Sequence, residues 1–287
     1  MLFRRKIIFS KPNQYEHYDS RVGMHGFVNS LFQIYSRREL LVTLVQRDIS
    51  IKYKRSVFGL SWSLINPILT TTVIYLVFNG LFAGRLPNQR GYATYIYTGV
   101  LLQMFVISGI PAAANSLSAH WQYITKMRIP PYLFSISASI TASIQFSIGL
   151  IALFPIWLLT HFSVSPRMFL IPVFLICMIM SLTGIGLMLT GLMIRFDDMN
   201  YIIGVILMIL GYLTPIFYTI DALPLRMQTI VQLNPLTQYV NVARYLIIDT
   251  SNLQVFELLF VPVFSIVIFI LGIRKINRRW NDWVVML

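Results

Sequence analysis

MFLIPVFLICMIMSLTGIGLMLTGLMI, the stretch Met168–Ile194, contains no charged side chain and is apolar over most of its length. A helix needs about 20 apolar residues to cross the hydrocarbon core of a bilayer, so this stretch predicts a membrane-spanning helix. Five more stretches have the same character: Phe58–Ala83, Tyr92–Ala114, Tyr132–Leu159, Tyr201–Ile220 and Phe256–Ile273. The sequence therefore predicts an all-α integral membrane protein with six transmembrane helices.

Lysine and arginine residues are concentrated on one side of these stretches. Eighteen of the 23 precede the first stretch or follow the second, fourth or sixth. Basic residues accumulate in cytoplasmic loops, so this asymmetry predicts a multi-pass protein with both termini in the cytoplasm. The same bias, together with attraction to anionic membrane lipids, accounts for the net charge of +13 without a nucleic-acid partner.

The flanking segments predict cytoplasmic extensions of a six-span domain that covers residues 56–275. Residues 1–30 are polar and basic and are interpreted as an N-terminal tail, and residues 276–287 as a C-terminal tail. Residues 31–55 predict an amphipathic helix that lies in the membrane interface or docks on a soluble partner. Its apolar side chains fall within an arc of roughly 120° on a helical wheel, interrupted by Arg38: Leu31, Ile34, Tyr35, Leu41, Val42, Val45 and Ile49.

The long connection between the fifth and sixth stretches, residues 221–253, predicts a helical hairpin. Leu223–Leu233 and Leu236–Ile248 are each too short to span a bilayer, and Asn234-Pro235 separates them. Two short helices that enter the outer leaflet and return would fit this pattern, provided that protein or a water-filled cavity covers the break. The alternative is an ordinary extracellular loop.

Sequence motifs for catalysis and nucleotide binding are missing. The chain has no G-x-x-x-x-G-K-[ST] phosphate loop, so no ATP site is expected in it. It has no cluster of metal ligands, and its single cysteine, Cys177, lies inside the fourth stretch. Asp197 and Asp198 form the one close acid pair. They favour either a helix-end charge or, as an alternative function, the metal-binding carboxylates of a membrane glycosyltransferase.

The most specific motif, RDISIKYKRSVFGLSWSLINP, covers Arg47–Pro67, where a basic helix end leads into the first stretch. This motif resembles the membrane subunit of polysaccharide-exporting ABC transporters of the type-2 exporter family. Four later segments resemble that family in the same order: Asn115–Pro130, Arg195–Asp198, Thr214–Tyr218 with Thr214 in place of the usual Ser, and Asn234–Leu236 followed by Arg244.

The resemblance implies a homodimer of this chain with two copies of a separate ABC ATPase, which would bind ATP and Mg. It implies a permease of the bacterial cytoplasmic (inner) membrane rather than an enzyme. The implied substrate is a polyprenyl-linked polysaccharide such as O-antigen, teichoic acid or a cell-wall galactan. Export of a capsule, a lipid or a drug by the same superfamily is the alternative.

Three groups of candidate site residues follow from the resemblance. An ATPase-coupling helix near residues 117–127, for which a plain connector is the alternative, includes Leu117, His120, Trp121, Gln122, Tyr123, Ile124 and Lys126. A ring of channel aromatics, for which an interfacial belt is the alternative, includes Tyr75, Phe78, Phe82, Tyr212, Phe217 and Tyr218. A headgroup site where the lipid would enter, for which a topology signal is the alternative, includes Arg47, Lys52, Lys54, Arg55 and Trp62.

Overall fold

The computed structural model describes residues 30, 32–81, 91–124, 129–160, 165–248, 253 and 255–284. These residues fold into α-helices joined by short turns, which confirms the all-α prediction. The helices are α1 (Arg38–Tyr53), α2 (Trp62–Leu81), α3 (Tyr92–Ala114), α4 (Ser116–Ala119), α5 (Trp121–Ile124), α6 (Tyr132–Ile151), α7 (Leu153–Thr160), α8 (Ile171–Arg195), α9 (Met199–Leu213), α10 (Leu225–Leu233), α11 (Pro235–Ile247) and α12 (Val255–Val284). Phe82, Lys126 and the predicted tail before Ser30 lie outside the described residues.

Five segments of the described residues are long and apolar enough to cross a membrane: Gly59–Phe78, Tyr92–Ala114, Tyr132–Trp157, Pro166–Arg195 and Val255–Trp280. The fifth predicted stretch, Tyr201–Ile220, instead forms the 15-residue helix α9. This helix ends at Leu213 because Thr214 adopts an extended conformation before Pro215, as a residue before proline prefers. Five of the six predicted transmembrane helices therefore have spanning length, and the fifth forms a shorter helix.

Helix α3 is the centre of the bundle, where it contacts α2, α6, α8, α9 and α11. Its Tyr97 is fully buried and donates a hydrogen bond from its hydroxyl to the carbonyl oxygen of Gly149 at 2.6 Å. Phe105 packs edge-to-face on Phe146 of α6 with ring centroids 5.7 Å apart. These contacts hold the second and third spans side by side.

Helix α1 packs along α6 and runs in the same direction. The Tyr132 hydroxyl donates to Gln33 Oε1 at 2.8 Å near the start of α6, and Lys52 Nζ donates to Gln145 Oε1 at 2.9 Å near its end. Val45 is buried, whereas Tyr35 and Val42 of the same predicted apolar arc are exposed. Part of that arc therefore faces the bundle and part faces away from it.

A glycine elbow joins α1 to α2. Gly59 has a φ of +51°, a left-handed conformation that L-amino acids with a side chain rarely adopt. Its backbone N–H donates to Ser56 Oγ at 3.0 Å, which stabilises the turn. The elbow lets the basic end of α1 continue directly into the first span.

The hairpin α10–α11 lies at the opposite end of the bundle from α4 and α5. Asn234 caps α11 by accepting a hydrogen bond at Oδ1 from the backbone N–H of Leu236 at 3.0 Å, and Pro235 occupies the first helical position. The Asn234 amide also donates to Leu210 O and Thr214 Oγ1, at 3.1 and 2.9 Å. One side chain thus fixes the hairpin to the end of α9.

Helices α8 and α12 cross at two glycines. A Cβ atom on Gly184 would lie 2.5 Å from the backbone of Ile268, and one on Gly272 would lie 2.7 Å from Gly184 O. Small residues at such crossings let two helix backbones approach closely within a membrane.

Replacing Gly184 with Ala should lower the thermal midpoint of the detergent-solubilised protein, because the opposing backbone cannot move aside as a side chain could. Overpacking of this kind costs roughly 1–3 kcal/mol. Gly204→Ala on α9 is the matched control, since nothing lies within 4 Å of its Cβ position. The control should keep or raise the midpoint, and equal shifts in both variants would contradict the close crossing.

Candidate functional site

The segment after α9 is not helical, so several of its carbonyl groups need hydrogen-bond donors from elsewhere. Side chains of α3 supply some of them. The Tyr92 hydroxyl donates to Phe217 O at 2.9 Å. The Tyr95 hydroxyl lies 2.9 Å from Tyr218 O and 3.2 Å from Pro215 O. Non-helical backbone at membrane depth requires such partners, so these tyrosines stabilise the break.

Arg244 of α11 provides the remaining donors to this segment. Its Nη1 donates to Pro215 O at 2.8 Å, and its Nη2 to Ile216 O at 3.3 Å. The guanidinium is 4% exposed and lies 3.3 Å from the centroid of the Tyr95 ring. Carbonyl dipoles and an aromatic face therefore stabilise its charge. Gly99 makes room for this arrangement, because a Cβ there would lie 2.9 Å from Ile216 and 3.1 Å from Arg244 Nη2.

Four of the predicted channel aromatics gather around this segment. Phe78 of α2 stacks on Phe217 with ring centroids 5.6 Å apart, and Tyr75 lies 6.1 Å from Tyr92. The Tyr218 hydroxyl donates to Tyr212 O at 3.2 Å. The Tyr212 ring itself is 66% exposed on α9, and Phe82 lies outside the described residues. We call Tyr75, Phe78, Tyr92, Tyr95 and Phe217 the outer aromatic cluster.

The predicted coupling helix is two short helical turns, α4 and α5, separated by His120. Leu117 and His120 are buried, so they pack the turn onto the bundle. Gln122 and Tyr123 are exposed, whereas Trp121 and Ile124 are half-buried. Arg47, predicted at the headgroup site, instead places its guanidinium 4.3 Å from the centroid of the Tyr123 ring. Lys126 lies outside the described residues.

A cavity of about 460 Å³ lies between the elbow, α3 and α6. Lys52 is its cation, and partial burial lowers the pKa of this ammonium below its usual value. The Nε2 of Gln145 is buried beside it with no hydrogen-bond partner among the described residues. Trp62 also lines the cavity, while Lys54 and Arg55 are exposed just beyond α1. The cavity therefore offers a cation and hydrogen-bond donors.

The acid pair Asp197–Asp198 lies in the turn before α9 and is exposed. The carbonyl oxygen of Asp198 accepts the first backbone hydrogen bonds of α9, from Tyr201 and Ile202. Carboxylates at a helix N-terminus interact favourably with the helix dipole. The position of this pair ahead of α9 fits the helix-end role.

Sequence analysis missed the parts of the outer aromatic cluster that α3 provides. The sequence pattern identifies Tyr92 and Tyr95 only as part of the second apolar stretch, and Arg244 only as part of a family motif. A useful signal was available: two tyrosines three residues apart at the start of a span share one helix face. An isolated arginine in an apolar segment also indicates a buried polar partner.

Comparison with known proteins identifies similar sequences over most of the chain. The profile of the ABC-2 type transporter family matches residues 39–248. An O-antigen export system permease protein RfbA of Klebsiella pneumoniae is 26% identical over 251 residues, which cover 85% of this chain and 94% of the relative. A permease of the same name from Myxococcus xanthus is 23% identical over 195 residues, 67% of this chain and 72% of the relative.

Arg244→Met should lower the thermal midpoint in detergent, because the Ile216 carbonyl loses its Arg244 donor and the Pro215 carbonyl keeps only the longer bond from the Tyr95 hydroxyl. Each unsatisfied buried polar group costs roughly 1–3 kcal/mol. Arg226→Met is the matched control, since Arg226 is exposed on the neighbouring helix α10. Arg244→Lys should be intermediate, because an ammonium lacks the planar fork that reaches both carbonyls. A midpoint for Arg244→Met equal to that of the control would show that the segment is held without Arg244.

Proposed function

The chain belongs to the ABC-2 type transporter family, and on this premise we propose that it is the transmembrane subunit of an ATP-driven exporter of a lipid-linked polysaccharide. The observation that carries the proposal is the match to an O-antigen export permease along 85% of this chain and 94% of that relative. The sequence lacks a phosphate loop, so a separate ABC ATPase subunit would bind ATP and Mg. O-antigen is the favoured substrate class, because the relatives carry that name.

We propose six spans in the cytoplasmic (inner) membrane of a bacterium, with both termini in the cytoplasm. The fifth span would consist of α9 together with the segment that follows it, so that hairpin α10–α11 re-enters the outer leaflet. The arrangement of helix ends supports this topology. Gly191 near the end of α8 lies against Trp283 near the end of α12, on the side where α1, α4 and α5 meet. Basic residues concentrate at this end, whereas the hairpin lies at the other.

We propose that two copies of the chain form the translocation path between them. Helices α2 and α9 leave broad apolar faces exposed, which include Leu69, Val73, Leu76, Val205 and Ile209. Lipid or a second copy can cover these faces, and a two-fold pair would place them around a shared axis. In this arrangement α1 would lie at the cytoplasmic interface beside the ATPase, with Tyr35 and Val42 directed toward lipid.

The proposed route begins at the Lys52 cavity and ends at the outer aromatic cluster. An ammonium with amide and hydroxyl donors suits a lipid-linked phosphate. Trp62 would lie beside it at the headgroup level, with the exposed Lys54 and Arg55 nearby, whereas Arg47 is engaged with Tyr123 of the coupling turn. Aromatic faces stack on the C–H patches of sugar rings. Phe78 and Phe217 would close the outer end when the path is empty, since their rings stack on each other.

We propose that the turn formed by α4 and α5 receives the motion of the ATPase. Its exposed Gln122 and Tyr123, with the half-buried Trp121 and Ile124, present the contact surface, while Leu117 and His120 fix the turn to the bundle. The ATPase would thus push on a surface that is continuous with the membrane helices.

The decisive experiment is reconstitution of the chain with its cognate ATPase in proteoliposomes. Native mass measurement should give two copies of each subunit, and ATP should drive a polyprenyl-linked O-antigen across the bilayer. An ATPase with an inactivated phosphate loop is the control and should abolish transport. Transport of the glycan by the chain without any ATPase would contradict the proposal, as would conversion of a glycosyl donor by the chain alone.

Phe78→Leu combined with Phe217→Leu should reduce export and let small solutes leak through the resting complex. Leucine keeps both positions apolar, so insertion should persist while the stacked rings are lost. Phe169→Leu is the matched control, because Phe169 is 90% exposed at the start of the fourth span. Glycan export and dye leakage are measured in the same vesicles. Wild-type export without added leakage would show that the two rings serve only to pack α2.

A further inference from the structure

One carboxylate connects three elements at the cytoplasmic end of the bundle. Asp48 of α1 places Oδ1 3.0 Å from His120 Nε2, between α4 and α5. Its Oδ2 accepts a hydrogen bond at 3.0 Å from Ser137 Oγ of α6. The Asp48 side chain is 15% exposed and the His120 side chain 7% exposed, so water has little access to their contact.

For the 3.0 Å contact between Asp48 and His120 to be a hydrogen bond, one hydrogen must lie between them. His120 Nδ1 lies 2.7 Å from the carbonyl oxygen of Ser116, which can only accept, so Nδ1 carries a hydrogen. A hydrogen bond between Nε2 and the carboxyl group then needs a second hydrogen, on the imidazole or on Asp48. In both forms the donor and acceptor are matched, so the contact is a hydrogen bond between two buried side chains.

A second contact joins the same two elements. The adjacent Arg47 lies over the ring of Tyr123, and the His120 ring lies 4.9 Å from Phe134 of α6. Helix α1 thus holds the turn at two neighbouring residues. One turn further along α1, Lys52 reaches the cavity, and the Gly59 elbow then leads into α2 with Tyr75 and Phe78.

We propose that Asp48 is a positioning residue that makes α1 and the coupling turn move as one body, so that ATPase motion reaches the Lys52 cavity and α2. The inference rests on the proposed function, because that function identifies the turn as the receiver of the motion. The physical reason is the cost of separation. Separating a buried hydrogen-bonded pair leaves polar groups unpaired away from water, so the contact resists breaking while the turn moves.

The test uses the complete complex with its ATPase in proteoliposomes, and measures glycan exported per ATP hydrolysed. Asp48→Ala and His120→Ala should each lower this ratio about tenfold. A change of this size corresponds to the loss of one buried hydrogen bond. Asp48→Asn should recover most of the loss. Its amide can donate to a neutral His120 Nε2 while its oxygen still accepts from Ser137. Glu39→Gln, on an exposed position of the same helix, is the matched control and should leave the ratio unchanged.

A reversible cross-link separates coupling from folding. In a Cys177→Ala background, Asp48→Cys with His120→Cys should lower the ratio in the reduced state. A short bis-thiosulfonate linker should restore it, and reduction should lower it again. The cross-linked cysteine variant tests the role of the Asp48–His120 contact even if the alanine variants assemble poorly.

Two failures are distinguishable. A wild-type complex that moves no glycan would refute the proposed function. A wild-type complex that exports, alongside assembled alanine variants with an unchanged ratio or a linker without effect, would refute the role of Asp48 alone.

Discussion

The need to satisfy every backbone polar group away from water governs this structure. A bilayer offers no hydrogen bonds, so the chain can leave the helical conformation inside it only where other groups replace the lost partners. The segment Thr214–Tyr218 leaves the helical conformation at the end of an apolar stretch, and Tyr92, Tyr95 and Arg244 supply donors to it. The position of the hairpin, the close approach at Gly99 and the location of the outer aromatic cluster all depend on this local arrangement.

The two ends of the bundle use different polar chemistry. At the end that carries the outer aromatic cluster, neutral carbonyl groups and an aromatic ring bind Arg244, and these contacts fix the segment after α9. At the other end the Asp48 carboxyl group contacts the His120 imidazole, and the Lys52 ammonium donates to an amide oxygen. Neutral partners suit a fixed support. Ionisable partners would suit a surface that meets the proposed ATPase and the proposed lipid-linked substrate.

Local sequence properties predicted the features that have a local cause. Length and composition located the apolar stretches, and Asn234-Pro235 located the hairpin break within two residues of its observed helices. Pro215 also explains why α9 ends at Leu213 although the apolar pattern continues to Ile220, because proline disfavours a helical conformation at the residue before it. Contacts between distant residues were not predictable in this way. The Nη2 of Arg244 donates to Tyr95 O across 149 positions, and neither residue's pattern indicates the other. The packing of α1 on α6 was equally unpredictable, because a buried apolar arc and an exposed one have the same sequence pattern.

The elbow at Gly59 has a stereochemical consequence. Nothing lies within 4 Å of the place where a side chain would begin, so the space there would accept a methyl group. The left-handed backbone alone disfavours it, at about 1–2 kcal/mol for an L-residue. A mirror-image alanine introduced by chemical ligation would therefore fit where ordinary alanine is strained. At position 59 the configuration of the residue, and not the volume of its side chain, therefore determines whether the fold accepts it. Two alanines of identical volume and opposite chirality would differ in the stability of the folded protein.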